Sequence, residues 1–247
     1  MSQHAYVGSE LDLFAKAVRW KAYWRTEILP YLRGSVLEVG AGNGNNTRWL
    51  ADLPVERWVC IEPDPQLSDR LRATPFPRAP DVLAGTLEDL PETECFDSIL
   101  YLDVLEHIAE DRSELQRAAS HLMPGGHLIV LSPAHQWLYS PFDRAIGHQR
   151  RYSERSLRAC GPEPLSLVTI RYLDAAGLIA SLGNRLFLNQ SMPTEGQLRF
   201  WDSWLVPVSC RLDRLLGHRV GKSILAVWRK VPPSGPGPTG LPSTDHD

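Results

Sequence analysis

The stretch Val36-Leu-Glu-Val-Gly-Ala-Gly-Asn-Gly44 decides how this chain of 247 residues is read. Ser35–Val39 is a short β-favouring run that stops at Gly40, Gly42 and Gly44. Glycine tolerates positive φ, so the chain can turn sharply after a strand and bring backbone amides close to a ligand. A dinucleotide fingerprint, G-x-G-x-x-G, needs glycine at position 45, where Asn45 stands. A triphosphate loop, G-x-x-x-x-G-K-[ST], is absent as well.

Working outward, Arg57–Ile61 is a second strand-like run that stops at Glu62, and Pro80–Ala84 is a third. Phe96–Leu102 is apolar on both faces, as a central parallel strand should be. Thr47–Leu53 reads as helix. The apolar positions Val104, Ile108, Leu115, Ala119 and Leu122 keep helical spacing until Pro124-Gly-Gly126, after which His127–Ser132 gives a fifth strand and Ser223–Trp228 a last one. Repeated strand–helix order predicts an α/β fold with a doubly wound, mostly parallel sheet, whose ligands lie at the carboxyl ends of the strands.

At the start of the chain Leu11, Phe14, Ala15, Val18 and Ala22 predict one amphipathic helix ending before Pro30. Its Trp20, Tyr23 and Trp24 form an aromatic face suited to a lid. The expected division is a lid helix over 1–30, a cofactor-binding core over 31–172 with an acceptor-site loop at 132–161, a helical insertion or cap over 173–221, a final strand over 222–231, and a Pro/Gly/Ser/Thr-rich disordered tail over 232–247.

Composition narrows the class. With 43% hydrophobic and 22% charged residues the chain builds a globular core, which excludes a fibrous or mainly disordered protein. Its 26 basic and 29 acidic residues leave −3, which predicts no strong pull towards nucleic acid. Four scattered cysteines without a C-x-x-C pair suggest neither a zinc knuckle nor a disulfide scaffold, and a cytoplasmic setting is expected. No signal segment is read at the start. No run reaches the ~18–20 apolar residues of a membrane span, the nearest at 175–188 being interrupted by polar residues.

Glu38, two positions before the turn, suits the cationic amino-acid end of a ligand, and Glu62 can accept two hydrogen bonds from ribose hydroxyls. Adenosine attached to an amino acid satisfies both. Together with Gly85-Thr-Leu-Glu-Asp-Leu-Pro91, Phe96-Asp-Ser-Ile-Leu-Tyr-Leu-Asp-Val-Leu-Glu-His107 and Leu122-Met-Pro-Gly-Gly126, these residues resemble the class I S-adenosylmethionine-dependent methyltransferases, in a bacterial, small-molecule branch. The resemblance covers Val36–Pro133 and implies a seven-stranded Rossmann-like sheet. It implies that Gly40, Gly42 and Gly44 hold the methionine moiety, Glu62 the ribose, and Leu87 with Glu88 the adenine, with Pro63 and Tyr101 completing the cofactor set. Where relatives commonly carry an Asp for the adenine amino group, this chain has Thr86.

Acceptor chemistry is sought after the fifth strand, in Ser132-Pro-Ala-His-Gln-Trp-Leu-Tyr139 and Gly147-His-Gln-Arg-Arg-Tyr152. His148 is the first candidate for proton abstraction, with His135 and His107 behind it, because imidazole titrates near neutral pH. Asp103, Glu106 and His107 share one face of the expected helix, and with His148 they are the donor types of a divalent-metal site. The simpler reading, with Asp103 as a cap and Glu106 and His107 packed beneath the cofactor, assigns no metal. Arg150, Arg151, Arg155 and Arg158 form a basic patch able to meet an anionic acceptor, although the interleaved Glu154 points to plain solvation.

The expected activity is methyl transfer from S-adenosyl-L-methionine to O, N or C of a small natural-product, lipid-linked or peptide acceptor, leaving S-adenosyl-L-homocysteine. The alternative is a protein that binds the same cofactor and catalyses a rearrangement or cyclisation. Expected partners are the acceptor alone, with no nucleic acid, a monomer or homodimer state, and at most peripheral membrane contact through the apolar cap.

Overall fold

The computed structural model describes residues 10–183 and 193–232. Seven strands, β1 (Ser35–Val39), β2 (Arg57–Glu62), β3 (Asp81–Ala84), β4 (Phe96–Leu102), β5 (Leu122–Pro133), β6 (Leu165–Leu173) and β7 (Ser223–Lys230), form one sheet. Their order is β3-β2-β1-β4-β5-β7-β6. β1 to β5 pair in parallel, and β7 runs antiparallel to both β5 and β6. The order reverses between β1 and β4, so the crevice of a doubly wound sheet opens beyond their carboxyl ends.

Alternation along each strand separates two cores. Val36, Trp58, Cys60, Leu100 and Leu102 pack on one face of the sheet, and Leu37, Val39, Ile61, Ile99 and Tyr101 on the other. Every one of these is buried, which is why the strands read as mainly apolar runs on both faces.

A helical cap covers the first face and the strand ends. It comprises α1 (Glu10–Phe14), α2 (Val18–Ile28), α7 (Ala175–Gly183), α8 (Glu195–Phe200) and α9 (Val206–Leu215), with α8 and α9 joined by a π-helical turn at Trp201–Leu205. Three buried carboxylates stitch it together. Asp202 accepts from the Arg19 and Trp20 amides at 3.1 and 2.9 Å, as an N-cap of α2 would. Asp174 accepts from Gly177 N in the first turn of α7, from Ser209 Oγ and from Trp201 Nε1. Asp213 accepts from the amides of Asp174 and Ala175 at 2.7 and 2.9 Å and from Tyr23 Oη at 2.7 Å, tying α2, α7 and α9 to the end of β6.

The expected fold is the one observed, and four local readings change. The N-terminal helix is two helices, broken at Ala15–Ala17 because Asp202 caps a fresh start at Val18. Thr47–Leu53 holds only a 3-10 turn at Thr47–Trp49, with no side-chain cap from Asn46 to start a longer helix and Pro54 directly after it. The helix expected from Val104 is a 3-10 turn at Leu105–His107, followed by α4 (Asp111–Ser120), and the short α5 (Pro141–Ala145) and α6 (Glu154–Ala159) come after β5. The strand β6, whose residues are half-exposed rather than apolar on both faces, was not expected. No helix among the described residues is long and apolar enough to cross a membrane. The expected tail, beyond Pro232, and the cap residues 184–192 lie outside the described residues.

Because Asp213 satisfies three donors in the interior, truncating it strands all of them. Asp213→Ala is expected to lower unfolding stability by about 3 kcal/mol, at the upper end for loss of charge-assisted hydrogen bonds, as read from urea denaturation followed by tryptophan fluorescence.

Candidate active site

The glycine turn is bound to the end of the neighbouring strand. Val39 pairs with Ile61, and the amides of Gly40 and Ala41 both donate to the Ile61 carbonyl, at 2.8 and 3.1 Å. Glu62 then reaches across: its Oε2 accepts from Gly42 N at 2.7 Å and its Oε1 from Asp64 N at 2.9 Å. Asp64 itself caps α3 (Pro65–Ala73), accepting from Gln66 N and Leu67 N. Gly40, Gly42 and Gly44 have φ of 66°, 59° and 81°. A Cβ on Gly40 would stand 2.6 Å from Val104 Cγ1, whereas one on Gly42 would meet only Leu11 Cδ1, at 3.8 Å, and project into open space. That open space is a cavity of about 1060 Å³.

Gly40, Gly42, Glu62, Pro63 and Leu87 line the cavity, as the cofactor reading requires. Gly44 lies behind the turn against Leu71 and Phe76. Glu88 points away to an exposed pair with Arg117 at 2.8 Å. Thr86, in the position of the usual Asp, also lines the cavity, and its hydroxyl and amide are engaged by Asp89 in a capping box. Tyr101 is absent from the cavity wall: it is fully buried in the core, donating to Glu114 Oε1 at 2.8 Å. Glu114, which had no place among the expected site residues, does line the cavity.

Glu38 is likewise displaced from its expected role. It lies beneath the turn, 2% exposed and outside the cavity lining, where its Oε2 accepts from Trp58 Nε1 at 3.2 Å and from Cys60 Sγ at 3.8 Å. Burial pushes its carboxyl up to about 7, against the opposing pull of Thr47, Trp58 and Lys21. The carboxylate that does face the cavity is Asp103. Its φ of 58° is a conformation Asp tolerates better than most residues, and its amide is pinned to the Leu131 carbonyl at 2.8 Å. Opposite it stands Lys21, buried on the aromatic stripe of α2 and donating to Asn46 Oδ1 at 2.6 Å. Desolvation lowers the Lys21 ammonium to about 8, while Asp103 and Glu38 pull it back up.

At the far end of the cavity, beyond β4 and β5, are Glu106, His107 and His148. His148 Nδ1 is 2.9 Å from Asp143 Oδ1, and Arg151 holds both oxygens of Asp143 at 2.8 and 3.0 Å. His107 packs edge-on to His148 with ring centroids 4.6 Å apart. Burial depresses its imidazole to about 4, helped by His148, so it is neutral and a weak base at neutral pH. His135 does not reach the cavity: its Nε2 meets the Gly221 carbonyl at 2.9 Å and its ring stacks on Tyr172, which removes it from the catalytic set. Three of the four arginines of the patch are consumed internally by Arg150–Asp111, Arg151–Asp143 and Arg158–Glu154 pairs, and Arg155 is exposed. The apolar walls between the two ends come from Phe14, Trp20, Phe142, Leu198 and Trp201.

Residues 37–130 match the family model described as "Methyltransferase domain". Those residues form a methyltransferase domain. Among curated proteins, the tRNA U34 carboxymethyltransferase of Cellvibrio japonicus (strain Ueda107) is 28% identical over 123 residues, 45% of this chain and 38% of that protein. The mitochondrial ubiquinone biosynthesis O-methyltransferase of Candida albicans is 32% identical over 112 residues, 43% of this chain and 34% of that protein. The chain thus matches little more than a third of the length of either relative. The N-methyltransferase NodS from Bradyrhizobium japonicum WM9, solved in complex with S-adenosyl-l-homocysteine, shares the fold with a TM-score of 0.55 at 18% identity, over 89% of this chain and 88% of that one.

Within the methyltransferase domain and its cap, Lys21 had a readable signal: it interrupts the apolar stripe Ala17, Trp20, Trp24 and Ile28 at helical spacing. Asp143 and Lys222 had none, since only the packing of the chain after β5 sets Asp143 against His148, and only the entry to β7 brings Lys222 to the cavity wall.

The domain carries a built-in pH signature. With a folded value near 7 against 4.5 for an ordinary Glu, Glu38 takes up a proton on folding between those pH values. Its contribution is therefore fully present below pH 4.5 and lost as pH rises through 7. Glu38→Gln is expected to be the more stable protein at pH 8, by an amount on the order of 2–3 kcal/mol, and to match the parent at pH 4.5, as measured by thermal melts across pH.

Proposed function

We propose that this chain transfers the methyl group of S-adenosylmethionine to a small organic acceptor. The observation that carries the reading is the single cavity of about 1060 Å³ that joins the glycine turn and Glu62 at one end to an apolar chamber at the other. Ligand pockets usually enclose about 300–1,000 Å³, so this one has space for a nucleoside-bearing cofactor and an acceptor side by side.

The residues present fit the cofactor. Glu62 keeps lone pairs beyond those used by Gly42 and Asp64, enough to accept from two ribose hydroxyls. Asp103 and Lys21 offer opposite charges to the ammonium and carboxylate of an amino-acid end, in place of the buried Glu38. Leu87, buried behind Thr86, forms an apolar floor suited to a purine ring. When bound, the cofactor supplies a methyl group already activated on a sulfonium. The chain's own contribution is to align the acceptor and to exclude water with the walls of Phe14, Trp20, Phe142, Leu198 and Trp201. The polar end of the chamber, Glu106, His107 and His148, is where an acceptor hydroxyl or amine docks.

A small acceptor is favoured over a nucleic acid because the chamber lies beneath the cap, three of the four arginines of the patch are paired, and the net charge is −3. We place the work of the chain in the cytoplasm, in keeping with four unpaired cysteines. Incubation with methyl-labelled cofactor, a panel of phenols, amines and carboxylic acids, and total tRNA tests the assignment. Label is expected in an organic acceptor, and Asp103→Asn is expected to lower kcat/KM at least tenfold, about the value of one charge-assisted contact. Label confined to tRNA, or cofactor bound without loss of its methyl group, contradicts the reading; the second result points to a rearrangement or cyclisation.

A further inference from the structure

We propose that Glu106, His107 and His148 hold a divalent transition-metal ion at the acceptor end of the cavity. Each of the three has a ligand atom within 4.8 Å of the others'. The sequence favoured a plainer packing role with Asp103 as a helix cap, but Asp103 caps nothing and no α-helix begins there.

The first observation is an orphaned oxygen. Glu106 is 0% exposed; its Oε2 accepts from Ser132 Oγ at 2.9 Å, and its Oε1 has no hydrogen-bond partner. A buried carboxylate oxygen left without a partner is costly. It faces His148 Nε2 at 3.7 Å, too far for a hydrogen bond. That gap suits two donors sharing one ion: metal–ligand bonds of about 2.0–2.2 Å put neighbouring donors roughly 3.0–3.5 Å apart, a contraction of a few tenths of an ångström for this pair, and the third donor, within 4.8 Å, closes in by a side-chain adjustment.

The second is the way the donors are braced from behind. With Asp143 accepting at 2.9 Å, the Nδ1 of His148 carries the proton and Nε2 presents its lone pair to the cluster. Asp143 is fixed in turn by both nitrogens of the Arg151 fork and by the amide and hydroxyl of Ser140. Ser132 braces Glu106, and the Gly147 backbone bonds the ring of His107. A carboxylate–histidine pair aimed at a point, with every donor held on its far side, is how protein metal ligands are oriented. Catalytic assistance to a single base would explain Asp143–His148 but leaves Glu106 Oε1 unexplained.

The donor chemistry sets the class of ion. Two imidazoles and one carboxylate suit Zn²⁺, Mn²⁺, Fe²⁺ or Co²⁺ rather than Ca²⁺ or Mg²⁺, which take oxygen-rich sites. All three donors line the cavity, so the ion keeps coordination positions open towards the chamber. If methyl transfer is the reaction, an acceptor oxygen or nitrogen occupies one of them, and His148 serves as ligand instead of base.

The test needs no nucleoside and no acceptor, so its outcome is independent of the methyl-transfer reading. The full chain is stripped with a chelator and dialysed against ZnCl₂, MnCl₂ or CoCl₂, with MgCl₂ as control, and bound metal is counted by mass spectrometry. One equivalent of a transition metal per chain and no retained Mg²⁺ are expected, together with a visible Co²⁺ absorption band of a low-coordinate nitrogen–oxygen site. His148→Ala and Glu106→Gln should each weaken binding at least 100-fold, and Asp143→Asn, which acts through His148, about 10- to 100-fold. Failure of the parent chain to retain any of the three ions overturns the proposal whatever the variants do. So does retention that survives both ligand substitutions.

Discussion

The carboxylate of Glu62 is the constraint from which the rest of the site follows. It spans from the end of β2 to Gly42 at the crest of the turn after β1, and to Asp64 at the start of α3. Two adjacent strands, one turn and one helix start are thereby locked to a single side chain. The turn can meet it only with the backbone at positive φ, which is why glycine occupies 40, 42 and 44. At Gly40 there is no space for even a methyl group beside Val104, so the carboxyl end of β1 stays packed against the segment leaving β4. The crevice of the doubly wound sheet thus becomes a cradle with fixed amides and a partly satisfied carboxylate.

Over this cradle sits a cap held by polar rather than purely apolar contacts. Asp174, Asp202 and Asp213 each accept from backbone amides or buried side-chain donors on a different element. Such networks specify one arrangement because every donor left unmatched is penalised in a low-dielectric interior. The result brings the apolar walls of α2 and the Trp201 turn over the strand ends and encloses the chamber where the acceptor is proposed to sit.

Much of this was legible in the residues, and the failures have physical causes. β1, β2 and β4 were readable because parallel strands covered on both faces are short, mainly apolar runs with clear stops. The same property hid which face each residue takes. In Phe96–Leu102 every position from Ile99 onward is apolar or aromatic, so nothing in the run told that Tyr101 lies outside the cavity wall. Glu38 was misplaced for the same reason: on β1 it shares a face with Val36 and meets Trp58 and Cys60 of β2, a contact set by strand pairing. His135 and His148 were indistinguishable as loop histidines. Their fates were decided by Gly221 and Asp143, partners that only the tertiary fold supplies. Lys21, by contrast, broke the apolar periodicity of its helix and could have been found.

The central claim is that the Glu62-clamped turn holds an adenosyl-amino-acid. Calorimetric titration of the full chain with S-adenosylhomocysteine, set beside the same titration of Glu62→Gln, tests it most directly. The account predicts one site per chain in the parent and an affinity at least tenfold weaker in the variant, about the value of one charge-assisted hydrogen bond. A parent chain that evolves no heat, or a variant that binds equally well, would contradict it.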